Sequence, residues 1–216
     1  MRLGLALAVV LLAACTSTLI DYETRTHVVR PGETLYTIAW NYGLDHRALA
    51  AWNNLDDPDV IFAGQRLRLR AAETPQRPGT PAASQRAAPP PLMPAPSWQW
   101  PTRGPIVSGY GAAGAIGSGI GIGGRSGQSV RAAAAGRVVY AGSGLIGYGQ
   151  LVIIKHNETY LTAYGHNSRV LVAQGQELRQ GDTIAEMGLG PGQTPRLHFE
   201  IRRNGVPVNP LQYLPR

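Results

Sequence analysis

The side chains with the clearest chemical potential in this 216-residue chain are three histidines and a glutamate in its C-terminal half. His198 and Glu200 alternate with apolar neighbours, which places both on one side of a predicted strand. With His166 and His156 they offer the kind of donor atoms that bind zinc. Zinc ligands must be placed within tenths of an ångström, which argues against this set. Two other interpretations stay open: hydrogen-bonded residues of a sheet, or a polar groove that binds a partner.

Composition and charge narrow the classes of partner. Apolar residues make up 44% of the chain and charged residues 15%, with a formal net charge of +7. The excess lies in residues 99–216, which carry eleven basic and five acidic residues. Such a surface suits a polyanion, but no run of basic residues with interleaved aromatics is present, so we expect no nucleic-acid partner.

Two glycine-rich strings, GYGAAG at 109–114 and GIGIGG at 119–124, match the formal pattern of a dinucleotide-binding loop. That fold requires a helix directly afterwards and an acidic residue about 20 positions on. Neither follows, and we expect no cofactor.

The N-terminus has the pattern of an export signal. A short positive start precedes twelve mostly apolar residues at 3–14, too few to span a bilayer of about 30 Å. The string Leu-Ala-Ala-Cys that ends at Cys15 resembles a bacterial lipobox, which implies a signal peptide at 1–14, acylation of Cys15 and a tether at 15–25. The alternative is an ordinary signal peptide with an incidental cysteine. In lipoproteins of this pattern, the Thr16 that follows implies the outer membrane, facing the periplasm.

Residues 26–70 have the pattern of a small βααβ module. A β-type run at 27–30 ends at a Pro-Gly turn, Thr34 and Asp45 can each cap a helix, and residues 65–69 alternate as a strand. One helix is predicted to bury Leu35, Ile38, Ala39 and Tyr42, and the next Ala48, Leu49 and Trp52.

This segment resembles the LysM domain, the glycan-binding module of many cell-wall proteins, from PGETL through the asparagine pair to the closing GQRLRL. The resemblance implies a peptidoglycan-binding site in two loops. Its predicted residues are Gly32, Glu33, Thr34 and Leu35 in the first loop and Asn54, Leu55 and Ile61 in the second. Turn and cap chemistry is the competing explanation for each of them.

The rest of the chain divides into a linker and an all-β domain. Residues 71–97 hold eight of the seventeen prolines and are predicted to be extended. Residues 98–216 contain short β-type runs at 137–141, 151–155, 160–164, 183–187 and 197–202, bounded by turn residues. Asn204-Gly205 predicts a hairpin. The predicted fold class is α+β: a βααβ module joined by a proline-rich linker to an all-β domain.

The C-terminal domain resembles the LytM (lysostaphin-type) zinc endopeptidases, through strings such as VRAAAAGRVVYAG and RLHFEIRRNGVPVNP. In that family a histidine, an aspartate and a late histidine bind zinc. Here the first falls on Gly117, the second on Gly121 and the third on His198, while Arg196 replaces the other histidine of the HxH motif and His166 is kept. Glycine has no donor atom, so one family ligand of three remains, and the resemblance implies a catalytically inactive domain with no metal.

The order of lipobox, LysM domain, linker and degenerate LytM domain resembles the NlpD family of murein hydrolase activators. The resemblance implies a non-enzymatic outer-membrane lipoprotein that activates a periplasmic N-acetylmuramoyl-L-alanine amidase, so that daughter cells separate. An active endopeptidase and a passive tether between membrane and wall remain as alternatives. The predicted partner-binding groove consists of Tyr148, Tyr164, His166, Arg196, His198 and Arg202.

Overall fold

A computed structural model describes residues 26–71, 92–112 and 117–216. The predicted signal peptide, Cys15 and most of the linker lie outside the described residues. We call residues 26–71 the N-terminal module and the remaining described residues the C-terminal domain. Neither helix of the described segments is long and apolar enough to cross a membrane.

The N-terminal module has the predicted βααβ order. Strands β1 (Thr26–Val28) and β2 (Arg66–Arg68) pair antiparallel beside helices α1 (Leu35–Tyr42) and α2 (His46–Trp52). The predicted caps are confirmed: the Thr34 side chain accepts a hydrogen bond from the Thr37 amide, and Asp45 accepts one from the Arg47 amide. Gly43 ends α1 in a left-handed conformation.

Helix α1 differs from the prediction in the faces that it buries. Leu35, Ile38 and Ala39 enter the core of the module as expected. Tyr42 does not: it is 43% exposed, and its hydroxyl lies 3.2 Å from the His27 ring. A second face of the helix, which carries Tyr36 and Trp40, is buried as well, because it packs on the C-terminal domain.

The C-terminal domain is a curled antiparallel sheet. Its central strand order is β3-β4-β11-β8-β7-β6-β9; β12 pairs with β11, and β10 joins β8 to β5. The Asn204-Gly205 hairpin is confirmed, with both residues at positive φ. The strands are β3 (Ile106–Ser108), β4 (Ile120–Gly123), β5 (Ser129–Arg131), β6 (Gly136–Gly142), β7 (Gln150–Lys155), β8 (Tyr160–Val170), β9 (Glu177–Leu178), β10 (Thr183–Met187), β11 (Arg196–Arg203) and β12 (Val206–Val208).

Segment 92–97 belongs to this domain by its contacts, although it contains no regular element. The Met93 amide donates to the Thr159 hydroxyl, and the Pro94 carbonyl accepts from the Asn157 side chain. The C-terminal domain therefore begins several residues before the predicted boundary at residue 98.

The central strands are buried on both faces, which decides where the site lies. One face of β7 and β8 contributes Val152, Ile154, Tyr160 and Tyr164 to the main core of the domain. The other face contributes Leu151, Ile153, Leu161 and Ala163 to a second apolar cluster, which includes Tyr36 and Trp40 of the N-terminal module. The module thus covers one face of the sheet.

Candidate functional site

The positions aligned with zinc ligands come together at strands β4 and β11. Gly121 in β4 lies directly opposite His198 in β11 in the antiparallel register. Gly117 lies in the turn that leads into β4. The structure therefore brings the three aligned positions to one end of the sheet, but the two glycines supply no donor side chain there.

Glu200 is the centre of a buried hydrogen-bond network on the same face of β11. Its side chain is fully buried. One carboxylate oxygen lies 2.8 Å from His198 Nε2 and accepts from the Tyr148 hydroxyl at 2.7 Å. The same oxygen accepts from the Ser118 hydroxyl, and the second oxygen accepts from Arg202 Nε at 3.1 Å.

The network fixes the charge of Glu200. Burial opposes ionisation, but the hydrogen bond from His198 and the positive charge of Arg202 outweigh it, so the pKa of Glu200 lies below its ordinary value of 4.5. The carboxylate and the Arg202 guanidinium form a buried ion pair, whose neighbours satisfy the remaining hydrogen-bond positions.

The residues of this face do not fit a zinc ion. His198 already uses Nε2 toward Glu200. His166 lies beside it, with ring centroids 5.9 Å apart, and burial together with the charges of His198 and Arg196 lowers the pKa of His166 to about 4. Three metal-binding side chains do not cluster anywhere in the described segments. Arg196 adds a permanent positive charge to the same face.

The alternative zinc set with His156 is wrong. His156 lies at the other face of the sheet, where its ring nitrogens are 2.7 Å from the Ala135 carbonyl and 2.7 Å from the Thr162 hydroxyl. Its ring packs edge-on against Trp98. Burial lowers the pKa of His156 to about 4, as expected for a neutral, structural histidine.

One predicted groove residue, Tyr164, is also misplaced. Its partner in the register is Phe199, and both rings point into the main core with centroids 5.4 Å apart. The Tyr164 hydroxyl accepts from the Ala133 amide and from the Thr162 hydroxyl. Because side chains alternate along a strand, the residues of β8 that share a face with His198 and Glu200 are Gly165 and Ala163.

The other predicted groove residues share one face, but part of it is covered. His166 and Arg196 are only half-buried, and we call this pair the open end of the groove. Tyr148 and Arg202 lie under the N-terminal module, where Trp40 Nε1 donates to the Tyr148 hydroxyl at 3.0 Å. Arg202 Nη1 donates to the Trp40 carbonyl at 3.0 Å, and the guanidinium lies 3.4 Å from the indole centroid.

Further polar contacts surround this apolar interface. Arg47 donates to the Asn204 side chain at 2.7 Å, and Arg137 forms an ion pair with Asp59 at 2.8 Å. The backbone of Gly205 approaches the module so closely that a Cβ atom there would lie 2.2 Å from the Leu44 carbonyl oxygen. The two domains are therefore fitted to one another.

The sequence-based analysis missed this interface, and with it Tyr36 and Trp40. The two residues stand at i and i+4 on α1, so they form a second apolar face beside the one that fills the module core. A signal was present: four consecutive apolar residues at 151–154 are typical of a strand that is covered on both faces.

The predicted glycan-binding residues take different places in the module. Gly32 and Asn54 are exposed, and Glu33 is half-buried. Oε2 of Glu33 accepts a hydrogen bond from the Arg30 amide and lies 2.7 Å from Nε2 of His27. The Thr34 side chain caps α1, and Leu35 is fully buried in the module core. Leu55 and Ile61 pack partly against that core. The side chains of Thr34 and Leu35 are thus accounted for by the fold.

Comparison with known proteins gives two family matches. Residues 27–70 match the LysM domain, and residues 115–210 match peptidase family M23. A solved structure of a putative M23 peptidase from Pseudomonas aeruginosa superposes with a TM-score of 0.50 at 25% identity, covering 57% of this chain and 52% of that one.

Two named relatives extend the similarity to most of the chain. The NlpD/LppB lipoprotein homolog of Pseudomonas aeruginosa is 44% identical, over 88% of this chain and 77% of its own length. The murein hydrolase activator NlpD of Escherichia coli K12 is 35% identical, over 91% of this chain and 69% of its own. The chain, which carries a LysM domain and an M23-family domain, therefore belongs to the NlpD/LppB family of lipoproteins.

Proposed function

We propose that this protein is a non-catalytic, peptidoglycan-bound lipoprotein that activates a periplasmic N-acetylmuramoyl-L-alanine amidase at the division septum. The observation that carries the proposal is the network around Glu200. Where a zinc peptidase needs three ligands and an open position, this chain has Gly117, Gly121 and a histidine engaged by a buried carboxylate. A relative of 35% identity is named a murein hydrolase activator, which supports the same conclusion.

Activation of this kind is a shift between two states of the enzyme. If the amidase rests in a closed state, an activator must bind its open state more tightly. A change from 1:99 to 99:1 needs about 5.5 kcal/mol of differential binding. The open end of the groove, with His166 and Arg196, is the proposed docking surface. Its basic charge would speed association with an acidic partner.

The N-terminal module supplies attachment to the wall in this proposal. Within the predicted glycan-binding set, Gly32 and Asn54 are exposed, and Glu33, Leu55 and Ile61 are half-buried. The acylated Cys15 would hold the chain at the outer membrane. Attachment at both points raises the local concentration of activator beside the wall without adding contacts to the enzyme.

The test is reconstitution of the cognate amidase with dye-labelled peptidoglycan. The soluble chain from Thr16 onward is added with and without the enzyme, and released dye is measured. We expect release with both proteins well above release by amidase alone, and none from the chain alone. Release by the chain alone would restore the endopeptidase, whereas wall binding without stimulation would favour the tether.

A further inference from the structure

The two loops that we propose for glycan binding both face strand β6 of the C-terminal domain. Gly32 and Glu33 of the first loop border a cavity of about 370 Å³ whose other wall is formed by residues 140–142, 144 and 145. Leu55, in the second loop, borders a cavity of about 720 Å³ whose other wall includes Gly136, Arg137 and Lys155. The two cavities are thus walled by successive parts of β6.

The space between the cavities is closed by apolar packing. Tyr36, at the start of α1, belongs to the same buried cluster as Val139 of β6. On the side of the larger cavity, Asp59 of the module is held by Arg137 of β6. A ligand can occupy either cavity alone, but a chain of sugars that runs from one loop to the other meets the Tyr36 contact.

Burial at this contact differs from burial in a domain core. Tyr36 and Trp40 are 3% and 5% exposed, yet both contribute to the cluster between the domains and neither to the core of the module. The module can therefore leave the sheet with its own core intact. Departure of the module would expose Tyr148 and Arg202 on the sheet, and both residues donate hydrogen bonds to Glu200.

We infer that docking of the N-terminal module on the sheet and binding of a long glycan chain exclude one another. A chain spanning both loops displaces β6, separates the domains and exposes Tyr148 and Arg202 beside the open groove. Contact with the wall thus extends the accessible surface next to the proposed docking surface at His166 and Arg196. This inference rests on the proposed glycan binding by the module. By linkage, the factor by which docking weakens glycan binding equals the factor by which glycan weakens docking.

The experiment measures binding of an N-acetylglucosamine hexamer to the soluble chain by calorimetry. Trp40→Ala removes the main docking side chain without entering the module core. Its matched control is Tyr42→Ala, an aromatic residue of the same helix that is 43% exposed. We expect Trp40→Ala to bind the hexamer at least about five-fold more tightly than the wild type, the lower end of typical coupling, and Tyr42→Ala to bind like the wild type.

A second variant acts from the other domain, so it leaves the fold of the module unchanged. Arg137→Glu places a like charge opposite Asp59 and should tighten hexamer binding, whereas Arg131→Glu, an equal charge change on β5 away from the module, should not. In the wild type, the hexamer should also increase hydrogen exchange of residues 145–150 and 199–205.

The outcomes separate this inference from the proposed function. Suppose that the wild type binds the hexamer and that Trp40→Ala or Arg137→Glu binds it no more tightly than the wild type. The glycan then binds the docked form, so the exclusion is wrong, while the activator proposal stands. If no form binds hexamer or pellets with peptidoglycan, wall binding by the module is wrong and the exclusion falls with it.

Discussion

The guanidinium carbon of Arg202 lies over the indole of Trp40, 3.4 Å from the ring centroid, although the two residues are 162 positions apart in the chain. The same guanidinium donates to the Trp40 carbonyl near the C-terminal end of α1, and this carbonyl also accepts from the Gly43 amide at 3.3 Å. Its Nε donates to Glu200. One side chain therefore connects the Glu200 network to the helix of the other domain.

Replacing Arg202 by lysine should loosen this connection while keeping the charge. An ammonium group neither stacks on the indole nor donates in two fixed directions, so we expect a loss of about 1–2 kcal/mol in unfolding free energy. The measurement is a denaturant titration that follows both domains. Arg203→Lys, at the exposed neighbouring position, is the control. Equal effects of both variants would contradict the role given to Arg202.

Local patterns predicted most of the secondary structure, because caps and turns depend on near neighbours. Thr34, Asp45 and Asn204-Gly205 act in the structure as the sequence indicated. The docking of the module was not predicted, since it depends on residues more than 100 positions apart, such as Trp40 and Tyr148.

The same cause explains the error at Tyr164. Tyr164 stands next to Gly165 and His166 in the sequence, and such a neighbourhood indicates the polar face of a strand only when the strand is covered on one face. Strand β8 is covered on both faces, so Tyr164 on one face and Ala163 on the other are equally buried and alternation no longer marks the groove.

Glu200 should make the fold sensitive to acid. The pKa of Glu200 is lowered in the folded state, so its stabilisation is complete above about 4.5 and is lost as the pH falls through the folded pKa. Glu200→Gln should lower the unfolding free energy most at pH 7, and its difference from the wild type should shrink below pH 4.5. Glu200→Ala leaves the buried Arg202 guanidinium without its carboxylate partner and should lower the unfolding free energy by about 3–5 kcal/mol. Exposed Glu177→Gln serves as the control; a difference that grows on acidification would contradict this assignment.

His46 should contribute a second acid dependence, at the interface. Its side chain lines the larger of the two cavities and is buried against Tyr36, and neither ring nitrogen has a hydrogen-bond partner among the described residues. Burial is the main cause that lowers the pKa of His46 to about 4 from 6.5, against the opposing charges of Asp45 and Glu158.

Between pH 6.5 and pH 4, His46 is therefore protonated in the unfolded chain but still neutral in the folded chain. The unfolding free energy should decrease as the pH is lowered through this range. His46→Phe removes this part of the loss, whereas Phe62→Tyr, at an exposed position of the same module, keeps His46 and should lose as much as the wild type. Denaturant titrations at pH 7 and pH 5 measure both. The prediction is wrong if His46→Phe and the wild type lose equal stability.

The soluble chain from Thr16 onward should bind no stoichiometric zinc. Gly117 and Gly121 offer no donors, and His198 is held by Glu200. Elemental analysis after dialysis against zinc should give well below one equivalent, and a chelator should leave the melting temperature unchanged. An active M23 peptidase is the positive control. One equivalent of zinc, removed by chelator with loss of wall cleavage, would restore the enzyme interpretation.

Arg196 is the basic residue of the groove that the N-terminal module leaves accessible, so its charge should matter for activation. Its Nη2 donates to Thr194 at 2.9 Å, and it has no carboxylate partner among the described residues. Arg196→Glu should cost about 0.5 kcal/mol or less in stability, as for other sites away from a core, because no ion pair is lost. It should reduce amidase stimulation, since an acidic partner would then meet a like charge.

Dye release from labelled peptidoglycan, with a thermal melt of each variant, tests the role of Arg196. Arg179→Glu is the matched control: it makes the same charge change at an exposed position beyond β9, at the far edge of the sheet from β11. We expect normal stimulation from Arg179→Glu and reduced stimulation from Arg196→Glu at equal melting temperatures. Normal stimulation by both would move the docking surface away from the open end of the groove. In that case the face that Trp40 covers, with Tyr148 and Arg202, becomes the surface to test, by combining Trp40→Ala with a charge reversal at Arg202.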